Sequence, residues 1–236
     1  PERQQDPYLV PTITRRLMVT LTSLPGILLP CLAFACSAFE SNAAPPTVQL
    51  ADGKVIGFTL NNTNAFRGIP YAAPPVKSLR FSPPVKNKKW TSPLHATTFA
   101  PSCLQMGSPD FKAQGAAWNT LNLTSSDEDC LYLNVYVPAT ATTSKPLPVM
   151  VYLHAGEFRF GSSNDLENAW PYFAKGNVIL VTGNVRLGYF GFAALDALRS
   201  NDPQQSTGNY GLQDQRQVLK WVNTNINAFG GDPAQV

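Results

Sequence analysis

No Gly-x-Ser-x-Gly occurs anywhere in the 236 residues, and the only histidines are His95 and His154. Charged residues are scarce at 14%, against 44% apolar. That balance excludes an intrinsically disordered chain, which needs high charge and few apolar groups. The net charge is only +3, and Lys86, Lys88 and Lys89 form the one tight basic cluster. Nucleic-acid binding would need a larger basic face, so no nucleic-acid partner is expected and the cluster reads as a solvated loop. The spacing of cysteine and histidine matches no zinc pattern, and no glycine loop is built for phosphate. No metal and no cofactor is implied.

What is present is a proline-rich globular chain, with 21 prolines, long enough for one large domain or two smaller ones. Arg15 and Arg16 precede an uncharged run from Leu17 to Phe39. Small residues at Cys36 and Ala38, or at Ser41 and Ala43, offer cleavage positions for a secretory signal. Pro25 and Pro30 interrupt the run and weigh against its competitor, an uncleaved membrane anchor. Pro1 is not an initiator, and Met18 is an alternative start. Residues 1–43 are therefore expected to be a signal peptide or leader region, apart from a domain beginning at residue 44. Cys31 and Cys36 fall in the leader and leave two cysteines, Cys103 and Cys130, an even count suited to an oxidising compartment. A bridge between them would close a loop of about 28 residues, worth roughly 3–4 kcal/mol in the chain-entropy treatment. Sequons at Asn61 and Asn122 fit the same compartment. Secretion is the expectation.

Thr47–Leu50 and Lys54–Leu60 flank Asp52-Gly53 and read as a hairpin. Phe66–Pro75 and Leu79–Pro84 carry too many prolines for a helix and read as extended, turn-rich chain. Leu131–Val137 alternates and reads as a strand. Val149–Leu153, an unbroken apolar run, reads as a strand buried on both faces, and Asn177–Thr182 as another. Leu212, Leu219, Trp221, Val222, Ile226 and Phe229 recur at three to four residues, which predicts an amphipathic helix over 210–229 stopped by Gly230-Gly231. Early strands followed by strand–loop–strand–helix units indicate an α/β fold, with antiparallel strands leading into a parallel sheet flanked by helices. The loop after Val149–Leu153 would lie at the carboxyl edge of that sheet, where open α/β folds place their ligands.

Several blocks together resemble the type B carboxylesterases and cholinesterases of the α/β-hydrolase fold. They are Phe66-Arg-Gly-Ile-Pro-Tyr-Ala-Ala-Pro-Pro75, Leu79-Arg-Phe81, Glu128-Asp-Cys-Leu-Tyr-Leu-Asn-Val-Tyr136, and the His154 loop with Gly161-Ser162. Asn184-Val-Arg-Leu-Gly188, Gly208-Asn-Tyr-Gly-Leu-Gln-Asp-Gln215 and Phe229-Gly-Gly-Asp-Pro233 complete the series. They run in the family's order and span nearly all of 47–236. The resemblance implies the front part of a hydrolase sheet, residues 44–236, truncated before the nucleophile elbow. The elbow would begin a few residues after Pro233, so nucleophile, acid and base would lie beyond Val236. Residues 44–236 are expected to be inactive by themselves.

The resemblance also pairs Cys103 with Cys130, and matches Arg80 with Glu128 and Arg186 with Asp214 as buried ion pairs. It sets Trp118-Asn119 against the cholinesterase Trp-Asn that stacks on a quaternary ammonium, two residues out of register. The competing reading is a tryptophan packed under its own loop. It makes Gly156 and Glu157 the oxyanion-hole positions, the family's His-Gly-Gly-Gly here being His-Ala-Gly-Glu. An ionised Glu157 about 4 Å from an oxyanion would add about 4 kcal/mol of repulsion at an effective dielectric of 20. Three arrangements avoid it: the carboxylate points away, is protonated, or serves as a local base on water. Two functional classes follow. One is a secreted serine esterase acting on a small-molecule ester. The other is a non-catalytic, esterase-like adhesion or recognition domain with a protein partner.

Overall fold

The computed structural model describes residues 44–105, 126–166 and 169–236. The leader expected over 1–43, Trp118 and the sequon at Asn122 lie outside the described residues. Among the described residues no helix is long and apolar enough to cross a membrane.

Strands β1 (Thr47–Leu50) and β2 (Gly53–Ile56) form an antiparallel hairpin with Val48 opposite Val55. The run 54–60, a single strand by sequence, divides at Gly57 into β2 and β3 (Phe58–Leu60), which join different sheets. A Cβ at Gly57 would lie 2.4 Å from the Ala65 carbonyl oxygen, so the chain crosses where only glycine fits. From β3 the chain turns through Asn61 and Asn62, at φ 48° and 59°, into β4 (Thr63–Pro70). Two consecutive left-handed residues make the tight hairpin turn that matches strand twist. Asn61 therefore stands exposed at a hairpin tip. Strand β5 (Leu94–His95) adds in parallel to β2.

Short strands β6 (Ser102–Cys103) and β7 (Ser126–Asp127) pair in parallel beside a Cys103–Cys130 disulfide, S–S 2.02 Å, whose two half-cystines are buried. The main sheet runs β3-β4-β8-β10-β9, with β8 at Tyr132–Pro138, β9 at Val149–Leu153 and β10 at Ile179–Gly183. Pairings β4–β8 and β8–β10 are antiparallel, and β10–β9 is parallel. Antiparallel strands thus lead into a parallel pair, an incomplete α/β-hydrolase sheet. Helices α1 (Trp170–Lys175), α2 (Gly188–Phe192) and α3 (Tyr210–Asn225) accompany it.

Both faces of the sheet are covered. Leu133, Val135 and Val137 of β8 enter the larger core with Phe66, Ile69, Val181, Val218 and Val222. Tyr136 points the other way, into a smaller cluster with Ala65, Leu180 and Trp170, whose indole stacks on it at 6.0 Å. The expectation of two buried faces fails for β9: Met150 is 48% exposed. Among the described strands β9 pairs only with β10, so it forms the sheet edge and lacks the neighbour that would shield it.

Helix α3 buries Tyr210, Asp214, Val218, Trp221 and Val222, spaced to lie on one face. Leu212 and Leu219, assigned by sequence to the apolar stripe, project from the other face, each 45% exposed. The helix tightens into a 3₁₀ turn, Ile226–Phe229, and ends at Gly230 with φ 82°. That left-handed cap is where a glycine costs least.

Candidate functional site

Leu153 lies opposite Gly183 where parallel strands β9 and β10 end together. Leaving this edge, the backbone takes positive φ at Gly156 (123°), Glu157 (55°), Phe158 (58°) and again at Gly161 (120°). Each of the two side-chain-bearing residues in that region costs about 1–2 kcal/mol. The turn closes as the Arg159 and Phe160 N–H groups donate to the Gly156 carbonyl, at 2.8 and 3.2 Å. Among the described residues, neither the Gly156 nor the Glu157 N–H has an acceptor. Consecutive backbone N–H groups in a tight turn of this kind make a concavity suited to an anion. The Glu157 side chain is 78% exposed, with Oε2 3.9 Å from Arg159 Nη1. The carboxylate is thus directed into solvent beside Arg159.

His154 opens the loop. Its Nδ1 lies 3.1 Å from the Ala155 carbonyl oxygen, as an Nδ1–H donor would, and burial lowers its pKa. The ring serves as a packing wall for the loop. A Cβ on Gly161 would come within 2.2 Å of His154 Nδ1, so the end of the loop needs glycine for space as well as for φ.

Beyond Gly161, buried amides hold the chain. Asn134 donates to Thr182 Oγ1 at 3.0 Å and Ser163 Oγ at 3.2 Å, and accepts the Gly68 N–H at 3.0 Å. Asn184 accepts the Ser163 N–H at 2.8 Å and donates to the Pro101 carbonyl at 2.9 Å, while Tyr71 donates its hydroxyl to the Asn184 carbonyl. Sequence reasoning passed over these two asparagines. For Asn134 the available signal was one amide inside an otherwise apolar strand, which has to be hydrogen-bonded if buried.

Arg186 and Asp214 form a buried pair, 3% and 0% exposed. Arg186 donates from its backbone N–H and Nε to Asp214 Oδ2 at 3.0 and 2.8 Å, and from Nη2 to Oδ1 at 2.8 Å. Its Nη1 donates to the Ser82 carbonyl at 2.8 Å. Arg80 and Glu128 also pair through two hydrogen bonds, one of 2.6 Å, but the buried setting expected for them is wrong. Arg80 is 42% exposed, because it follows the surface 3₁₀ turn Lys77–Leu79, which buries no residue. An exposed pair contributes little.

Asp165 accepts the Ser162 N–H at 3.2 Å through Oδ2, and its buried Oδ1 has no partner among the described residues. Burial raises its carboxyl to about 6. A raised folded pKa adds stability while the group is protonated in both states, and that stability is lost as pH rises through about 6. Asp165→Asn should therefore gain on the wild type between pH 4 and 7, by about 1 kcal/mol once partial exposure is allowed for. Denaturant melts of both proteins across that range check it, and parallel pH curves would refute it.

Beside the loop, Phe158, Tyr189, Phe192 and Leu195 line an open groove of about 580 Å³. The Phe158 and Phe192 rings stand 5.0 Å apart, and the Gly188 N–H donates to the Phe158 carbonyl at 2.8 Å. Among the described residues no group of His, Cys, Asp and Glu could hold a metal ion.

A family model described as "Carboxylesterase family" matches residues 44–236. The chain belongs to the carboxylesterase family. Its carboxylesterase relatives include para-nitrobenzyl esterase of Bacillus subtilis (strain 168), 42% identical over 185 residues, covering 78% of this chain and 35% of the relative. Carboxylesterase 1F of Mus musculus is 37% identical over 214 residues, covering 85% of this chain and 36% of the relative. Among solved structures, a PNB esterase superposes with a TM-score of 0.67 at 40% identity, covering 80% of this chain and 36% of that one. Aspergillus niger EstA gives 0.68 at 32% identity, covering 81% and 35%. The chain therefore spans about a third of the length of these carboxylesterase-family relatives.

Proposed function

We propose that residues 44–236 are the front part of a secreted serine esterase that hydrolyses small-molecule carboxylic esters through an acyl-enzyme. In this reading the loop after β9 stabilises the tetrahedral intermediate. The N–H groups of Gly156 and Glu157 donate to the developing alkoxide, with a further donor, the serine, its histidine base and the acid all supplied by later residues. His154 packs the loop in this reading, and the base is a different, later histidine. Export would follow from a signal within 1–43, with the Cys103–Cys130 bridge and glycans at Asn61 and Asn122 suited to the same compartment.

One observation carries the proposal: among the described residues, two successive loop N–H groups at the carboxyl edge of the sheet have no acceptor. The alternative, a non-catalytic recognition domain, drew its support from a carboxylate in place of glycine at Glu157. The exposure of that side chain beside Arg159 supports the catalytic reading over it.

The test is full-length protein assayed with a p-nitrophenyl ester and a serine-reactive phosphonate. Hydrolysis and labelling are expected, while residues 44–236 alone should do neither. A full-length chain inert to both reagents would leave the recognition reading standing.

A further inference from the structure

Gln105 lies two residues beyond Cys103, and its side-chain amide grips the backbone of Gly161 in both directions. The Gly161 N–H donates to Gln105 Oε1 at 2.9 Å, and Gln105 Nε2 donates to the Gly161 carbonyl at 2.9 Å. The other Nε2 hydrogen goes to the Cys103 carbonyl at 3.0 Å. Both amide hydrogens and one oxygen lone pair are thereby used. An amide bonded to both backbone groups of one residue, as acceptor and as donor, fixes the orientation of that residue as well as its position, as a neighbouring strand would.

Gly161 is not an arbitrary point of attachment. It closes the loop that His154 opens, and the two touch: the space a Cβ would take on Gly161 is filled by the His154 ring. Holding Gly161 therefore holds both ends of the turn containing Gly156 and Glu157. On its other side Gln105 hangs from a buried cystine, Cys103–Cys130, joined to the chain just before β8. Ser102 Oγ adds a bond to Ser162 Oγ at 3.2 Å, so 102–105 runs alongside 161–162 and makes three hydrogen bonds to it.

We infer that Gln105 is a positioning residue for the oxyanion loop: through Gly161 and His154 it keeps the Gly156 and Glu157 N–H groups in place, with the disulfide as its anchor. The inference rests on the esterase reading of that loop. Transition-state donors act within about 2.7–3.1 Å of the oxyanion, and a misplacement of about 1 Å can cost 10²-fold in rate. The loop holds two residues in a left-handed conformation against their preference, so an outside restraint is what keeps it from relaxing.

Full-length Gln105→Leu keeps the bulk and removes all three bonds; Gln105→Glu keeps the acceptor and loses the donors. Rates are normalised to active sites titrated with phosphonate, so that misfolded protein drops out of the comparison. The Leu variant should lose about 10- to 100-fold in kcat, with KM nearly unchanged and the Glu variant intermediate. Inhibition by a trifluoromethyl ketone, whose tetrahedral adduct carries an oxyanion, should weaken by the same factor as kcat. Amide hydrogen exchange over 154–161 should quicken in step. If the wild type turns over ester and the variants match it in kcat and in ketone affinity, the inference is overturned and the esterase reading survives. If the wild type is neither active nor labelled, both fall together.

Discussion

Gly156→Ala in the full-length esterase proposed above is expected to lower kcat by about 10²–10³-fold, the cost of losing an oxyanion donor. The reason is steric as well as conformational. At φ 123° a Cβ on residue 156 would meet the Phe160 carbonyl oxygen at 2.0 Å and the carbonyl carbon at 2.8 Å. Both are backbone atoms of the same turn, and neither can swing aside as a side-chain tip could. The turn must open, carrying the Gly156 and Glu157 N–H groups away from the position of the alkoxide. The loop is only part-buried, so global stability should change far less than kcat. Steady-state kinetics on a p-nitrophenyl ester, with a thermal melt as control, checks this. A kcat within threefold of wild type would sink the assignment of these two N–H groups.

The second large effect concerns stability. Arg186→Met should cost about 3–5 kcal/mol, because it strands the Asp214 carboxylate in the core. Three of Arg186's N–H groups now reach Asp214, a fourth caps the Ser82 carbonyl, and the guanidinium lies 5.4 Å from the Tyr210 ring centroid. Burial pushes the Asp214 carboxyl up against the opposing pull of those bonds. Met keeps only the backbone N–H bond to Asp214, so the upward push of burial dominates and the orphaned acid should take a proton. A raised folded pKa contributes stability below the unfolded carboxyl range and loses it as pH rises. The deficit of Arg186→Met should therefore shrink on acidification. Arg186→Met with Asp214→Leu should recover much of the loss, as apolar replacements of whole buried pairs often do. Denaturant unfolding of the four proteins of this cycle measures the coupling, and a single-variant loss under 1 kcal/mol would contradict it.

Much of the fold was legible because its signals are local. Proline clusters and β-rich runs bounded the strands, and Gly230 ended α3 where the sequence reading expected a stop. Motif blocks such as Phe66–Pro75 and Glu128–Tyr136 pointed to the family. What stayed hidden depends on neighbours distant in sequence. Val149–Leu153 has the composition of an interior strand, yet composition does not say whether a second partner is present. The run 54–60 looked continuous because Gly57 is special only against Ala65 and Phe66. Leu212 and Leu219 matched a helical period, but the period does not decide which face meets the sheet. Arg80 and Arg186 sit in equally family-like blocks, and only the local chain path separates a surface fork from a buried one. Gln105 and Asn184 act across tens of residues, with no periodicity to mark them.

The Cys103–Cys130 link also bears on how quickly the chain assembles. Of the strand pairings in the main sheet, β4 with β8 spans the longest stretch of chain, its nearest pair being Pro70 with Tyr132, and the cystine sits inside the intervening stretch. Oxidation before that pairing shortcuts a separation of 27 residues. The closure entropy then falls by roughly half a kcal/mol, close to a twofold gain in rate if the encounter limits assembly.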